Sequence, residues 1–212
     1  MTIFDGVLIL AVLGGMCAFF SLCYFLLRRQ WTRARRVLLA LGSFLALYAA
    51  VLLSISLLSP QRVLAMNQDR CFDDWCLSVE RIVQQPTVGA APTSAIAHGT
   101  FYLVTVRVSS QARAITQRAL DAQVYLLDSK GQHYDPDPPG QQALDVTGQG
   151  GQPLTSKLAP GGSFTRTVVF DLPKSSSHLA LVVTHGLFPD ILVIGSEQSF
   201  LHKPTIIQLH FQ

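Results

Sequence analysis

Nine residues, Arg28-Arg29-Gln30-Trp31-Thr32-Arg33-Ala34-Arg35-Arg36, constrain this chain more than any others. They separate two apolar runs, Gly6 to Leu27 and Val37 to Leu58, neither of which contains a charged residue. Each run has 22 residues, against the roughly 20 that an α-helix needs to cross the hydrocarbon core of a bilayer. Positive residues in short loops stay on the cytoplasmic side. The pattern predicts a transmembrane hairpin over 1–58, with Arg28, Arg29, Arg33, Arg35 and Arg36 fixing its turn in the cytoplasm. The amino terminus and everything after Ser59 are then extracytoplasmic, in a multi-pass protein of the inner or plasma membrane. A cleaved leader carries its basic residues ahead of its apolar run; here only Asp5 precedes the run and Arg28-Arg29 follow it, so the first span is expected to be retained.

The same turn explains the charge balance. Of 16 Lys and Arg, five lie in 28–36, and of 13 Asp and Glu only Asp5 precedes them. From Ser59 onward 11 basic residues face 12 acidic ones, a net of −1. The formal charge of +3 thus belongs to the membrane turn. Nucleic acid, whose phosphates require a basic face, is not an expected partner. Neither apolar run holds an ionisable residue, so the hairpin reads as an anchor with no ion path. Gly14 and Ala18 on one run, and Gly42, Ala46 and Ala50 on the other, recur at every fourth position. That spacing either lets two helices approach closely or reflects how common small residues are in membrane spans.

Ser59-Pro60 is a helix-stop signal, and residues 59–70 read as a short tether. Beyond it, 71–212 is expected to form one extracytoplasmic domain. Cys71 and Cys76 bracket Phe72-Asp73-Asp74-Trp75, and outside the cytoplasm such a pair favours a local disulfide; Asp73-Asp74 suit the turn it needs. A redox or metal role for the pair is the alternative. Leu77 to Ile82 alternates but with a mixed face, and Gln84 to His98 reads as a loop. Thr100 to Ser109 is the clearest strand, with Tyr102, Val104, Val106 and Val108 on its core face. Ala122 to Leu127, Ser163 to Leu172, His178 to Thr184, Ile191 to Ile194 and Thr205 to Phe211 complete the strands, and Ile194 to Pro204 before the last one reads as a polar turn. Short β-branched segments between Gly/Pro/Ser turns predict an all-β antiparallel sandwich of seven or eight strands. Asp135 to Pro153 departs from that rhythm. With four Pro and four Gly it reads as a long aperiodic loop, either a partner-binding loop or a mobile insertion.

Gly99-Thr100-Phe101-Tyr102-Leu103-Val104-Thr105-Val106, Leu127-Asp128-Ser129-Lys130-Gly131, and Leu158-Ala159-Pro160-Gly161-Gly162 with Val168-Val169-Phe170-Asp171-Leu172-Pro173 together resemble a bacterial pattern. It is that of the uncharacterised extracytoplasmic immunoglobulin-like (telokin-like) domains related to the mycobacterial immunoprotective extracellular protein. The resemblance runs from about Cys76 to Leu181. It implies an immunoglobulin-like sandwich without assigned catalysis. The chain departs from the pattern in its two-span anchor, its 135–153 segment and its closely spaced cysteines.

Chemical signatures are sparse. His98, His133, His178, His185, His202 and His210 show no metal-ligand spacing, and no nucleophile-elbow, phosphate-loop or dinucleotide pattern occurs. No catalytic, cofactor or metal residue is therefore expected, and the chain is not expected to be an enzyme. The leading expectation is a membrane-anchored binding or scaffolding module of the bacterial envelope, with an envelope protein as partner. The alternative is a metal-binding or redox envelope protein using the histidines and Cys71/Cys76. A phosphatase reporter fused after Gln212 should be active and one fused at Gln30 inactive; the reverse pattern would overturn the topology.

Overall fold

Two charge-free runs rich in Leu and Ala, both good helix formers, form two long helices. In the computed structural model, which describes residues 3–72, 74–186 and 190–210, α1 covers Ile3–Leu27 and α2 covers Trp31–Leu58. Both are long and apolar enough to cross a membrane. The break between them is shorter than the nine basic residues suggest. Only 28–30 leave the helices, with Arg29 at a φ of 53°, and α2 already contains Arg33, Arg35 and Arg36. Arginine is a good helix former, so charge did not end the helix. At the other end Ser59 closes α2, its backbone N–H (3.0 Å) and its Oγ (2.7 Å) both donating to the Ile55 carbonyl. Pro60, with no N–H to give, follows.

The small-residue stripe does not produce the close helix approach it could have. A Cβ added at Gly14 or Gly42 would meet nothing within 4 Å. A groove of about 480 Å³ lies between the helices, lined by Gly14 and Ala18 on α1 and by the bulky Leu41 and Phe44 on α2.

The chain divides into two compact units, Met1–Pro60 with Leu187–Pro204, and Gln61–Gly186 with Thr205–Gln212. The second is a β-sandwich. Its strands in chain order are β1 (Val63–Leu64), β2 (Arg70–Phe72), β3 (Trp75–Val88), β4 (Ala95–Ser110), β5 (Gln117–Arg118), β6 (Gln123–Leu127), β7 (His133–Tyr134), β8 (Lys157–Leu158), β9 (Ser163–Leu172), β10 (Ala180–Thr184) and β11 (Ile206–Gln208). One sheet runs β2-β3-β4-β9, the other β1-β11-β10-β6-β7, and β5 pairs with β8. Every pairing between these strands is antiparallel except β1 with β11. Between the two larger sheets lies one core, with Leu77, Tyr102, Val104, Val106 and Phe170 from the first and Val124, Leu126, Leu181, Val183 and Ile207 from the second.

Several expectations need correction. Among the described residues eleven strands replace seven or eight, because four of them are only two residues long. The 59–70 tether is woven into the sandwich, since β1 pairs with β11 and Arg70 already belongs to β2. The loop expected over 84–98 shrinks to six residues, 89–94, between β3 and β4. The mixed face of Leu77 to Ile82 has a simple cause: a register shift between Val79 and Arg81 is a β-bulge. An extra residue reverses the alternation, so that Leu77, Val79 and Ile82 all reach the same core. Ile191–Ile194 is no strand; it begins with a 3-10 turn, Asp190–Leu192. Asp73, Phe211 and Gln212 lie outside the described residues.

The largest correction concerns 135–153, which contains a helix, α3 (Pro138–Val146). Asp137 is its N-cap, accepting from the Gly140 N–H at 2.7 Å, and Pro138 and Pro139 occupy first-turn positions that need no N–H. Ala143 and Leu144 bury a second small core with Val88, Phe101 and Val169 on the outer face of the β3-β4-β9 sheet. This cover is why Phe101, on the face opposite Tyr102, Val104, Val106 and Val108, is 1% exposed.

The segment also closes an edge. β9 is the last strand of its sheet, and an open edge invites pairing with other chains. Here Gln152 N–H donates to the Thr165 carbonyl, Thr167 N–H to the Gly150 carbonyl, and Asp137 N–H to the Val169 carbonyl. Gln141 completes the row: its Nε2 donates to the Thr167 carbonyl and its Oε1 accepts from Val169 N–H, each at 3.1 Å. Gly151, at a φ of 74°, lies where a Cβ would strike the Thr165 carbonyl, so the closure requires glycine there. Gln141→Ala is expected to cost about 1–3 kcal/mol and to promote self-association. Thermal unfolding and light scattering of the detergent-solubilised protein would check it, and an unchanged midpoint would contradict this role for Gln141.

Candidate functional site

The edge closure shapes a cleft of about 540 Å³ between the 135–153 segment and the start of β6, lined by Gln123, Val124, Asp135, Gln141, Leu154 and Arg166 among others. Arg166 forms one wall. Its side chain is only 12% exposed and is held by both oxygens of Asp145, Nη1 to Oδ1 at 2.7 Å and Nη2 to Oδ2 at 2.8 Å. A planar guanidinium matched by a carboxylate in this way is fixed in direction as well as neutralised. The opposite wall is an incompletely paired strand. β6 pairs along its whole length with β10 on one side, but β7 covers only Leu126 and Leu127 on the other. Among the described residues, 123–125 therefore have no neighbouring strand on that side.

The residues singled out from sequence are not brought together here. Cys71 and Cys76 are joined in a disulfide across the β2–β3 hairpin, directly opposite each other in the register, with Cα atoms 3.9 Å apart. Cys17 and Cys23 are unbonded. Next to the bridge Phe72 stacks on Trp75 at 4.7 Å between ring centres, and His185 packs edge-on against Phe72 at 4.6 Å. The other histidines are dispersed. The His133 ring stacks on Tyr125 at 4.0 Å and its Nε2 lies 2.8 Å from Asp135, His202 meets the Lys203 carbonyl, and His98 lies beside Asp171. Among the described residues no group of three His, Cys, Asp or Glu has metal-binding geometry. The five arginines are confined to the α1–α2 turn and the start of α2; Arg28 lies over the Tyr24 ring at 5.5 Å and Arg33 donates to Gln30 at 3.0 Å.

A family model described as a domain of unknown function, DUF4352, matches residues 67–191. The chain belongs to the DUF4352 family. The match takes in β2 through β10 with α3, and so includes the edge closure and the cleft. Among solved structures it is similar to a conserved hypothetical protein from Bacillus anthracis, at 20% identity with a TM-score of 0.45, over 57% of this chain and 89% of that one. It is also similar to a secreted protein from Mycobacterium tuberculosis, MPT63, at 11% identity and 0.45, over 71% and 99%. A third is an uncharacterised β-sandwich protein from Clostridium difficile, at 10% identity and 0.43, over 72% and 96%. No curated protein matches the chain. The two facing sheets of this DUF4352 domain make it a β-sandwich, in agreement with the fold read from sequence.

Two carboxylates are tuned by backbone amides. Burial works to raise the Asp171 carboxyl, but the His98 and Gly99 N–H groups, at 2.7 and 3.0 Å, and the His98 ring outweigh it and hold it below its ordinary value. Asp128 is lowered as well, first by the Gln132 N–H and then by Lys130 and Tyr134 around their turn. A carboxyl lowered by folding stabilises the fold fully above its ordinary value of 3.8, and loses that contribution as pH falls through the lowered one. Asp171→Ala should therefore lower the unfolding midpoint at neutral pH and leave a shallower acid limb. Midpoints measured from neutral pH down through the carboxylate range would check this; parallel curves would contradict it.

Proposed function

We propose that this DUF4352 protein is a non-catalytic, membrane-anchored binding module of the bacterial cell envelope, with its sandwich outside the cytoplasm. The carrying observation is a pair of helices long enough to span a bilayer, joined by an arginine-rich turn and followed within four residues by the first strand of the sandwich. The turn keeps the arginines cytoplasmic, and the disulfide at Cys71–Cys76 suits the oxidising side. The cleft beside 123–125 is the seat of binding. An extended segment of a partner protein fits it, adding main-chain hydrogen bonds to the open part of β6.

A photo-crosslinking residue in place of Gln123, in intact cells, tests this reading. It should give a discrete covalent adduct with an envelope protein that the same residue in place of Lys130, on the exposed 128–131 turn, does not give. Equal labelling at both positions, or none at Gln123, would remove the cleft from consideration.

A further inference from the structure

Between β10 and β11 the chain makes an excursion whose described part, 190–204, belongs to the same compact unit as α2. Two hydrogen bonds fix its height along that helix. The Tyr48 hydroxyl donates to the Leu192 carbonyl at 2.6 Å, and the Ser56 and Ser199 hydroxyls share a 2.8 Å bond, both residues being buried. Val37 is the first residue past the arginines, and Tyr48 follows it by eleven positions, or about 16 Å of helix at roughly 1.5 Å per residue. A hydrocarbon core of about 30 Å then continues well beyond Tyr48. Even counted from Trp31, where α2 begins, Tyr48 stands only about 26 Å up the helix, and any tilt lowers it. Ser56 falls near the far boundary on the first count.

We propose that residues 190–201 form a membrane-embedded loop, seated beside α2 in the outer half of the bilayer and in contact with lipid acyl chains. This rests on the two-span reading above. Three features of the segment fit lipid. First, its large apolar side chains divide: Val193 and Ile194 are each 6% exposed, whereas Leu192, Phe200 and Leu201 are 43%, 51% and 55% exposed. Second, irregular backbone is tolerated at membrane depth only where its polar groups are satisfied by protein. Here the N–H groups of Val193, Ser196, Ser199, Phe200 and His202 all donate to carbonyls within the segment, and Tyr48 reaches in for the Leu192 carbonyl. Third, His202 and Lys203 stand where the segment leaves, suited to the headgroup layer. Of its two carboxylates, Asp190 and Glu197, both only half-buried, Glu197 is partnered within the protein.

The test uses the full chain in phospholipid vesicles, with Cys17 and Cys23 replaced by Ala and an environment-sensitive fluorophore on one introduced cysteine. Leu192→Cys is the reporter, and Phe200→Cys a second on the same segment should the first fail to fold. Leu47→Cys, on an exposed position of α2, and Lys130→Cys, on the 128–131 turn, are the controls. Acyl-chain doxyl lipids should quench the label at 192 as they do at 47, and aqueous iodide should quench it several-fold less than at 130. Iodide quenching at 192 and 200 equal to that at 130, with 47 still quenched by doxyl lipid, would overturn the embedded loop and leave the anchor standing. Iodide access at 47 as well would overturn both.

Discussion

A backbone amide or carbonyl cut off from water must find a partner, and most of this architecture follows from that requirement. The two apolar runs meet it internally, as helices whose i→i−4 bonds pair each amide within its own segment. The sandwich meets it by pairing strands, which moves the problem to the edges. At β9 a whole segment, 135–153, is committed to the solution, with two loop amides, one loop carbonyl and both ends of the Gln141 amide aligned along the strand. The excursion between β10 and β11 solves the same problem on a smaller scale, with its own tight turns and one tyrosine hydroxyl.

This view also explains the character of the cleft. Closure of β9 stops short of β6, where β7 pairs with only two residues. The same segment that removes one edge therefore frames what remains of another, with Arg166 locked on Asp145 as a rigid polar wall. A site of this kind offers shape and main-chain hydrogen bonds. The carboxylates that folding lowers, Asp128 in its own turn and Asp171 beside the His98 and Gly99 amides, stand apart from the cleft.

How much was legible in the sequence depended on how local the signal was. The apolar runs and the β4 strand were clear because one face, or all faces, are apolar over many residues. The helix in 135–153 was missed although its start was written plainly: Asp137 followed by Pro138-Pro139 is a cap and a first turn. Gly140, Gly148, Gly150 and Gly151 hid it by suggesting a flexible loop, when Gly151 is set by close approach to β9 and not by mobility. The bulge after Val79 left only a blurred alternation. Phe101 could not be assigned correctly from β4 alone, since what buries it is about 40 residues away in sequence. Ile191–Ile194 looked like a strand by composition, because side-chain character does not say whether apolar residues face a core or something else. The pairing of β1 with β11 joins residues from opposite ends of the sandwich, 143 positions apart, and no short-range pattern encodes it.

That pairing has a mechanical meaning. Only Ser59 to Arg62 separate the end of α2 from β1, so any pull along α2 arrives at Val63–Leu64 almost undiminished by slack. The load then passes through the Ile206 amide, which donates to the Arg62 carbonyl at 3.0 Å, into β11 and on to β10. The first strands to bear tension are thus tied to the last strand of the chain, and the sandwich is held at its seam rather than by a loose end.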